Sequence, residues 1–123
     1  MPERSFKKSH PTAGLTDLPA LGMDIPHLVD DFRHYYTNHL GRDRYCRSLH
    51  YAFEALALTL RDRLMERWKH TRYAYEDCDC KQAYYLSLEF LMGRTLSNAL
   101  LNLDLGESVT LALHGLGLAV EEL

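Results

Sequence analysis

Long apolar runs are missing from this sequence. The longest, Leu111 to Val120, is broken by His114, Gly115 and Gly117, and it falls far short of the ~20 residues that span a bilayer. The amino-terminal MPERSFKKSH carries charges with no apolar stretch behind them, so it does not read as a secretory signal. A basic excess is missing too. The 14 basic residues against 17 acidic ones leave a net charge of −3, whereas a nucleic-acid surface needs a clear basic stripe. Cysteine is scarce and odd in number, three in all, which points to reduced thiols and the cytoplasm. No repeat or low-complexity tract is visible. What remains is ordinary globular material: 123 residues, 46% hydrophobic and 25% charged, about one domain's worth.

Residues 1–22 mix Lys7, Lys8, Pro11, Gly14, Pro19 and Gly22 with aperiodic leucines, and read as a mobile arm. Asp24 then caps a helix with Pro26 in its first turn. Ile25, Leu28, Val29, Phe32, Tyr36 and Leu40 recur at three- and four-residue steps along it. Gly41 suits its end, and residues 41–47 form an exposed, arginine-rich connector. Ser48 opens the longest helix. Neither proline nor glycine occurs from Ser48 to Tyr85, so the helix reaches about Glu76, a rod of roughly 40 Å. Its expected core face is Leu49, Phe53, Leu56, Ala57, Leu60, Leu64 and Trp68. A polar break from Glu76 to Lys81 follows. The run Ala83 to Leu88, apolar on both faces, suits a strand buried in a parallel sheet. Helices are then expected near Thr95–Asn102 and from Gly106, the second with Val109, Leu111, Leu113, Leu116 and Val120. The fold class is thus mostly α with one buried strand. A long rod and an orphan strand both call for further protein around them.

Candidate chemistry is sparse. Cys78-x-Cys80 lacks the second ligand pair of a zinc site, so it reads as two loop thiols and no metal site is expected. The seven histidines are scattered, and Gly115-Leu116-Gly117 has neither the preceding strand nor the third glycine or lysine of a phosphate loop. Glu89 differs. It directly follows the presumed strand, at the end where open parallel sheets place ligands, and so is an active-site candidate, with an ion pair to Arg94 as its structural alternative.

The block Tyr84-Tyr85-Leu86-Ser87-Leu88-Glu89-Phe90-Leu91-Met92-Gly93-Arg94-Thr95-Leu96-Ser97-Asn98 resembles the α-glucan (glycogen, starch or maltodextrin) phosphorylases. Arg61-Asp62-Arg63-Leu64 with Arg67-Trp68 upstream, and Gly115-Leu116-Gly117-Leu118 downstream, extend the likeness over residues 25–123. Leu91 and the Thr95–Leu100 run look more like the bacterial branch than the animal one. The resemblance implies a two-domain α/β parent enzyme of the GT-B type, of which residues 23–123 begin the N-terminal domain. It also implies a pyridoxal 5′-phosphate cofactor and phosphorolysis of α-1,4-glucan by inorganic phosphate to glucose 1-phosphate. Glu89 would line the glucosyl and phosphate site. Leu91 would at most pack near the cofactor, whose attachment lysine lies outside these residues. The family's dimer contact corresponds to residues 41–68, which implies a cytoplasmic homodimer. The family's nucleotide site maps onto Trp68, with Arg72, Tyr73 and Glu76 departing from the animal pattern; Glu76 would repel a nucleotide phosphate if it faced the site. The chain thus reads as an N-terminal fragment, inactive by itself. The rival readings are a small non-catalytic helical interaction protein or a truncated dimerisation partner.

Overall fold

The computed structural model describes residues 18–46, 48–88, 93 and 95–123. Among the described residues are four α-helices: α1 (Ile25–His34), α2 (Leu49–Cys78), α3 (Thr95–Leu103) and α4 (Gly106–Gly115), with a closing 3-10 turn at Val120–Glu122. Local chemistry explains most of the boundaries. Pro26 lies in the first turn of α1, where its missing N–H costs nothing. At its far end α1 widens into a π turn over Tyr35–His39, and Leu40 N–H reaches back to Tyr35 O at 2.9 Å. Gly41 follows at φ 62°. Ser48 stands at the N-cap of α2 with extended backbone, but its hydroxyl makes no capping hydrogen bond.

The helices α2, α3 and α4 end alike. A residue of positive φ follows each, Asp79 (46°), Asp104 (56°) and Gly117 (75°). The next N–H then bonds to the carbonyl five residues back: Cys80 to Tyr75 at 3.3 Å, Leu105 to Leu100 at 3.0 Å, Leu118 to Leu113 at 2.9 Å. Each closure occupies carbonyls that a helix end otherwise leaves unpaired.

The core sits where α1 and α4 pack on each other and α2 lies against α1 and α3. Leu28 and Phe32 of α1 meet Ala52, Ala55, Leu56 and Leu60 of α2, with Leu103, Leu105, Val109 and Leu113 closing the other side. The buried face of α2 is not the expected stripe. Leu56 and Leu60 are buried as expected, but Leu49, Phe53 and Trp68 are exposed, while Ala52, Ala55, Thr59 and Arg63 are buried. Small side chains let the neighbouring backbones approach, and bulky ones on the adjoining face stay in solvent.

Arg63 is wholly buried, and every contact it makes answers its charge. Its guanidinium donates to Asp31 at 2.7 Å, to Gly22 O at 2.6 and 3.1 Å, and to Thr59 O at 2.9 Å. Paired and hydrogen-bonded, such a charge is tolerated; alone it would not be. It fastens the start of the described chain to α2, and Leu21 N–H adds a bond to the Glu66 carboxylate at 3.3 Å. Gly22 has no room for a side chain, since a Cβ would lie 2.3 Å from the His27 ring. Nearby, the Tyr35 hydroxyl donates to Asp62. Burial first, then that bond and the negative charges of Asp62 and Asp31, push the phenol up to about 12.

The buried strand is overturned. Residues 80–88 run irregularly, and there is no strand among the described residues. Tyr85 is 91% exposed, Leu86 93% and Leu88 102%. A strand exists only through hydrogen bonds to a neighbour, and no neighbouring strand is present in the described residues to supply them. The mostly helical class stands without it.

Candidate functional site

The distal half of α2 and the loop after it enclose a cleft of about 650 Å³, lined by Trp68, Arg72, Tyr75, Glu76, Lys81 and Tyr84 among others. Helix spacing sets this up. Trp68, Arg72, Tyr75 and Glu76 lie three or four residues apart and so share one face. The left-handed turn at Asp79 then swings Lys81 to Tyr84 back alongside it. The Arg72 guanidinium sits over the Trp68 ring, 5.4 Å from its centroid, a cation held on an aromatic face. Two positive side chains, Arg72 and Lys81, face one negative, Glu76. The cleft therefore combines aromatic surface with a small positive excess.

Of the positions that the family resemblance marks for a nucleotide, Trp68, Arg72 and Glu76 come together here, while Tyr73 is not among the lining residues. Glu76 does face the cleft, but Arg72 and Lys81 outweigh its charge. Reading α2 alone missed Lys81, Gln82 and Tyr84. The signal for them was the polar break, which marks where the chain turns back. Glu89 and Leu91 lie outside the described residues. Among the described residues no three His, Cys, Asp or Glu side chains gather as a metal site. Two of the histidines pair locally with carboxylates, His27 with Asp24 and His50 with Glu54 at 3.4 Å.

A second, more apolar cleft of about 620 Å³ lies between the connector and the core. Tyr36, Arg44, Cys46, Leu49, Leu116 and Leu118 contribute to its walls. Beside it the Arg42 guanidinium rests 3.8 Å above the Tyr51 ring, and Tyr36 OH donates to Cys46 O at 3.0 Å. These contacts pin residues 41–46 against the start of α2. No described helix is long and apolar enough to cross a membrane.

No protein-family model matches the chain. Sequence similarity does place it: the chain is a relative of the glycogen phosphorylases, the family to which the block Tyr84 to Asn98 points. It is 42% identical to the human glycogen phosphorylase, brain form, over 106 residues, 86% of this chain. It is 41% identical to the human liver form over 100 residues and 44% identical to the bovine liver form over 101. The chain spans about 12% of the length of each of these relatives.

Proposed function

We propose that the chain is the amino-terminal segment of a cytoplasmic α-1,4-glucan phosphorylase, a glycosyltransferase of glycogen metabolism. That enzyme transfers a terminal glucosyl residue of the glucan to inorganic phosphate and releases glucose 1-phosphate. The 42% identity over 86% of the chain carries this reading. The parent fold is the two-domain GT-B type, and this segment supplies part of its first domain. Glu89 lines the glucosyl and phosphate site, and Leu91 packs near the cofactor.

Pyridoxal 5′-phosphate, when bound to such an enzyme, supplies a proton through its phosphate group. The described residues of this chain do not fit that group. Lys81 is exposed and Lys69 half-buried on the outer side of α2. Neither has a glycine-rich anion cradle beside it, so no step of phosphorolysis is assigned to them. The segment's own part is scaffolding and contact. Residues 41–68 form the homodimer surface in this reading, which is supported by the exposed Leu49 and Phe53 and by the apolar cleft next to them. A free-standing interaction module is less well supported, because it would leave Tyr84, Tyr85, Leu86 and Leu88 in water with no partner of its own.

A chimera tests the reading. Residues 18–123 replace the matching segment of the human brain enzyme, and glucose 1-phosphate release from glycogen is measured. Release is expected. A chimera that folds and dimerises like its parent, yet releases none, overturns the assignment.

A further inference from the structure

At the ends of α3 and α4, the residue after the left-handed one is a leucine that folds back onto the core, Leu105 or Leu118. That apolar contact is the usual companion of such a helix end. The end of α2 is built differently. Cys80 takes the leucine's place and Cys78 is the last helical residue, with Asp79 alone between them. Both thiols are exposed, and the Cys78 sulfur is near enough to act on the Cys80 thiol. The turn at Asp79 brings this about, since positive φ reverses the chain and returns the second side chain to the side of the first. Two exposed thiols one residue apart across a chain reversal, with no third ligand among the described residues to make a metal site, are arranged for exchange chemistry with each other.

We propose that Cys78 and Cys80 form a reversible dithiol–disulfide site that a small disulfide such as oxidised glutathione closes and reduced glutathione reopens. The Cys78 thiolate attacks one sulfur of the small disulfide, forms a mixed disulfide and expels one thiolate. That thiolate takes the proton of Cys80, whose sulfur then attacks Cys78 and displaces the second thiolate, which takes up from water the proton that Cys78 gave up on ionising. Two electrons and two protons pass to the oxidant, and one Cys78–Cys80 bond forms. Partial desolvation in the loop, the Cys78 sulfur and the Asp79 charge push the Cys80 thiol up, which suits it to the second step. Cys80 also lines the cleft with Trp68 and Arg72, so closing the bridge changes one wall of that cleft.

The 123-residue chain, dilute and equilibrated in glutathione buffers of graded ratio, is acid-quenched, alkylated and weighed intact. The expected product is two hydrogens lighter, bridged between Cys78 and Cys80, with Cys46 the remaining alkylated thiol. It outnumbers the glutathione adduct at least about tenfold, equivalent to ~30 mV for a two-electron couple. Variants C78S and C80S, checked for unchanged helix content, stop at the adduct. In concentrated urea the bridge-to-adduct ratio falls severalfold. A stable adduct in the parent chain, a bridge to Cys46 or to a second chain, no oxidation, or a ratio unchanged in urea each overturns the proposal.

Discussion

The two halves of α2 both carry large apolar residues and meet opposite fates. Up to Leu64 the helix buries Ala52, Ala55, Leu56, Thr59, Leu60 and Arg63 against its neighbours. From Met65 to Cys78 nothing is buried, and every residue from His70 to Leu86 is exposed. Trp68, Tyr73 and Tyr75 carry large aromatic surfaces, yet they stand in solvent. Burial depends on what is available to pack against a face. The proximal half has α1, and α3 reaches α2 where Arg67 donates to Asn102 O and Leu103 O at 3.0 and 3.2 Å. Beyond that contact a helix of 30 residues, ~45 Å long, runs past its own neighbours. Its aromatic surface is of the kind that marks a contact face for further protein.

If the halves differ in this way, truncations should separate them sharply. Leu103→Ala, in the middle of the core, is expected to cost about 3–4 kcal/mol in urea denaturation, and Trp68→Ala less than about 0.5 kcal/mol. Equal losses would erase the distinction. Arg63→Met tests the one charged member of the buried face. It leaves the Asp31 carboxylate and the Gly22 carbonyl without their donor. Since Asp31 keeps some access to water, about 3 kcal/mol is expected, at the low end for a broken buried pair. A loss below ~1 kcal/mol would mean that the packing around Arg63, rather than its charge, holds that corner.

The distal region should respond in association more than in stability. Leu86→Lys puts a charge into the exposed Tyr84–Leu88 strip and should lower self-association in light scattering while leaving the urea midpoint in place. An unchanged aggregate size would show that this strip is not where copies meet. The smallest expected effect is alkaline. The Tyr35 phenol is pushed up to about 12 in the folded chain, against ~10 when unfolded. The stability it contributes is therefore whole below about pH 10 and is lost as pH rises from there through about 12. Comparing urea midpoints of the parent and Tyr35→Phe across that window isolates it from the other tyrosines. The gap between the two should narrow with rising pH, and parallel curves would refute the link.

Much of the helical framework was legible in the sequence because its signals are local. Pro26, Gly41 and Gly106 mark ends through their own backbone preferences, and α3 and α4 begin where expected. The failures are non-local. Ala83 to Leu88 has strand composition, but composition cannot provide a neighbouring strand. The stripe on α2 picked out Leu56 and Leu60 correctly, but the rest of the buried face is the small Ala52, Ala55 and Thr59 with Arg63. That arginine's partners lie 32 and 41 residues away, at Asp31 and Gly22, beyond any periodicity. The cleft was half legible: Trp68, Arg72 and Glu76 share a face by spacing alone, but the return of Lys81 and Tyr84 depends on the reversal at Asp79.

The π turn at Tyr35–His39 constrains how this chain can vary. None of its five residues is buried, and substitutions at the exposed Thr37, Asn38 and His39 meet little resistance from packing, whereas the Tyr35 and Tyr36 rings pack on the core. The number of residues is another matter. A π turn holds one residue more than the α-helix it interrupts, and deleting one would tighten it to ordinary winding, lose the bond from Leu40 N–H to Tyr35 O and shift the start of the connector. Gly41 would then point elsewhere, and Arg42 would leave the Tyr51 ring. Beyond its two tyrosines the spelling of this stretch is free, but its length is fixed, because the connector takes its bearing from that count.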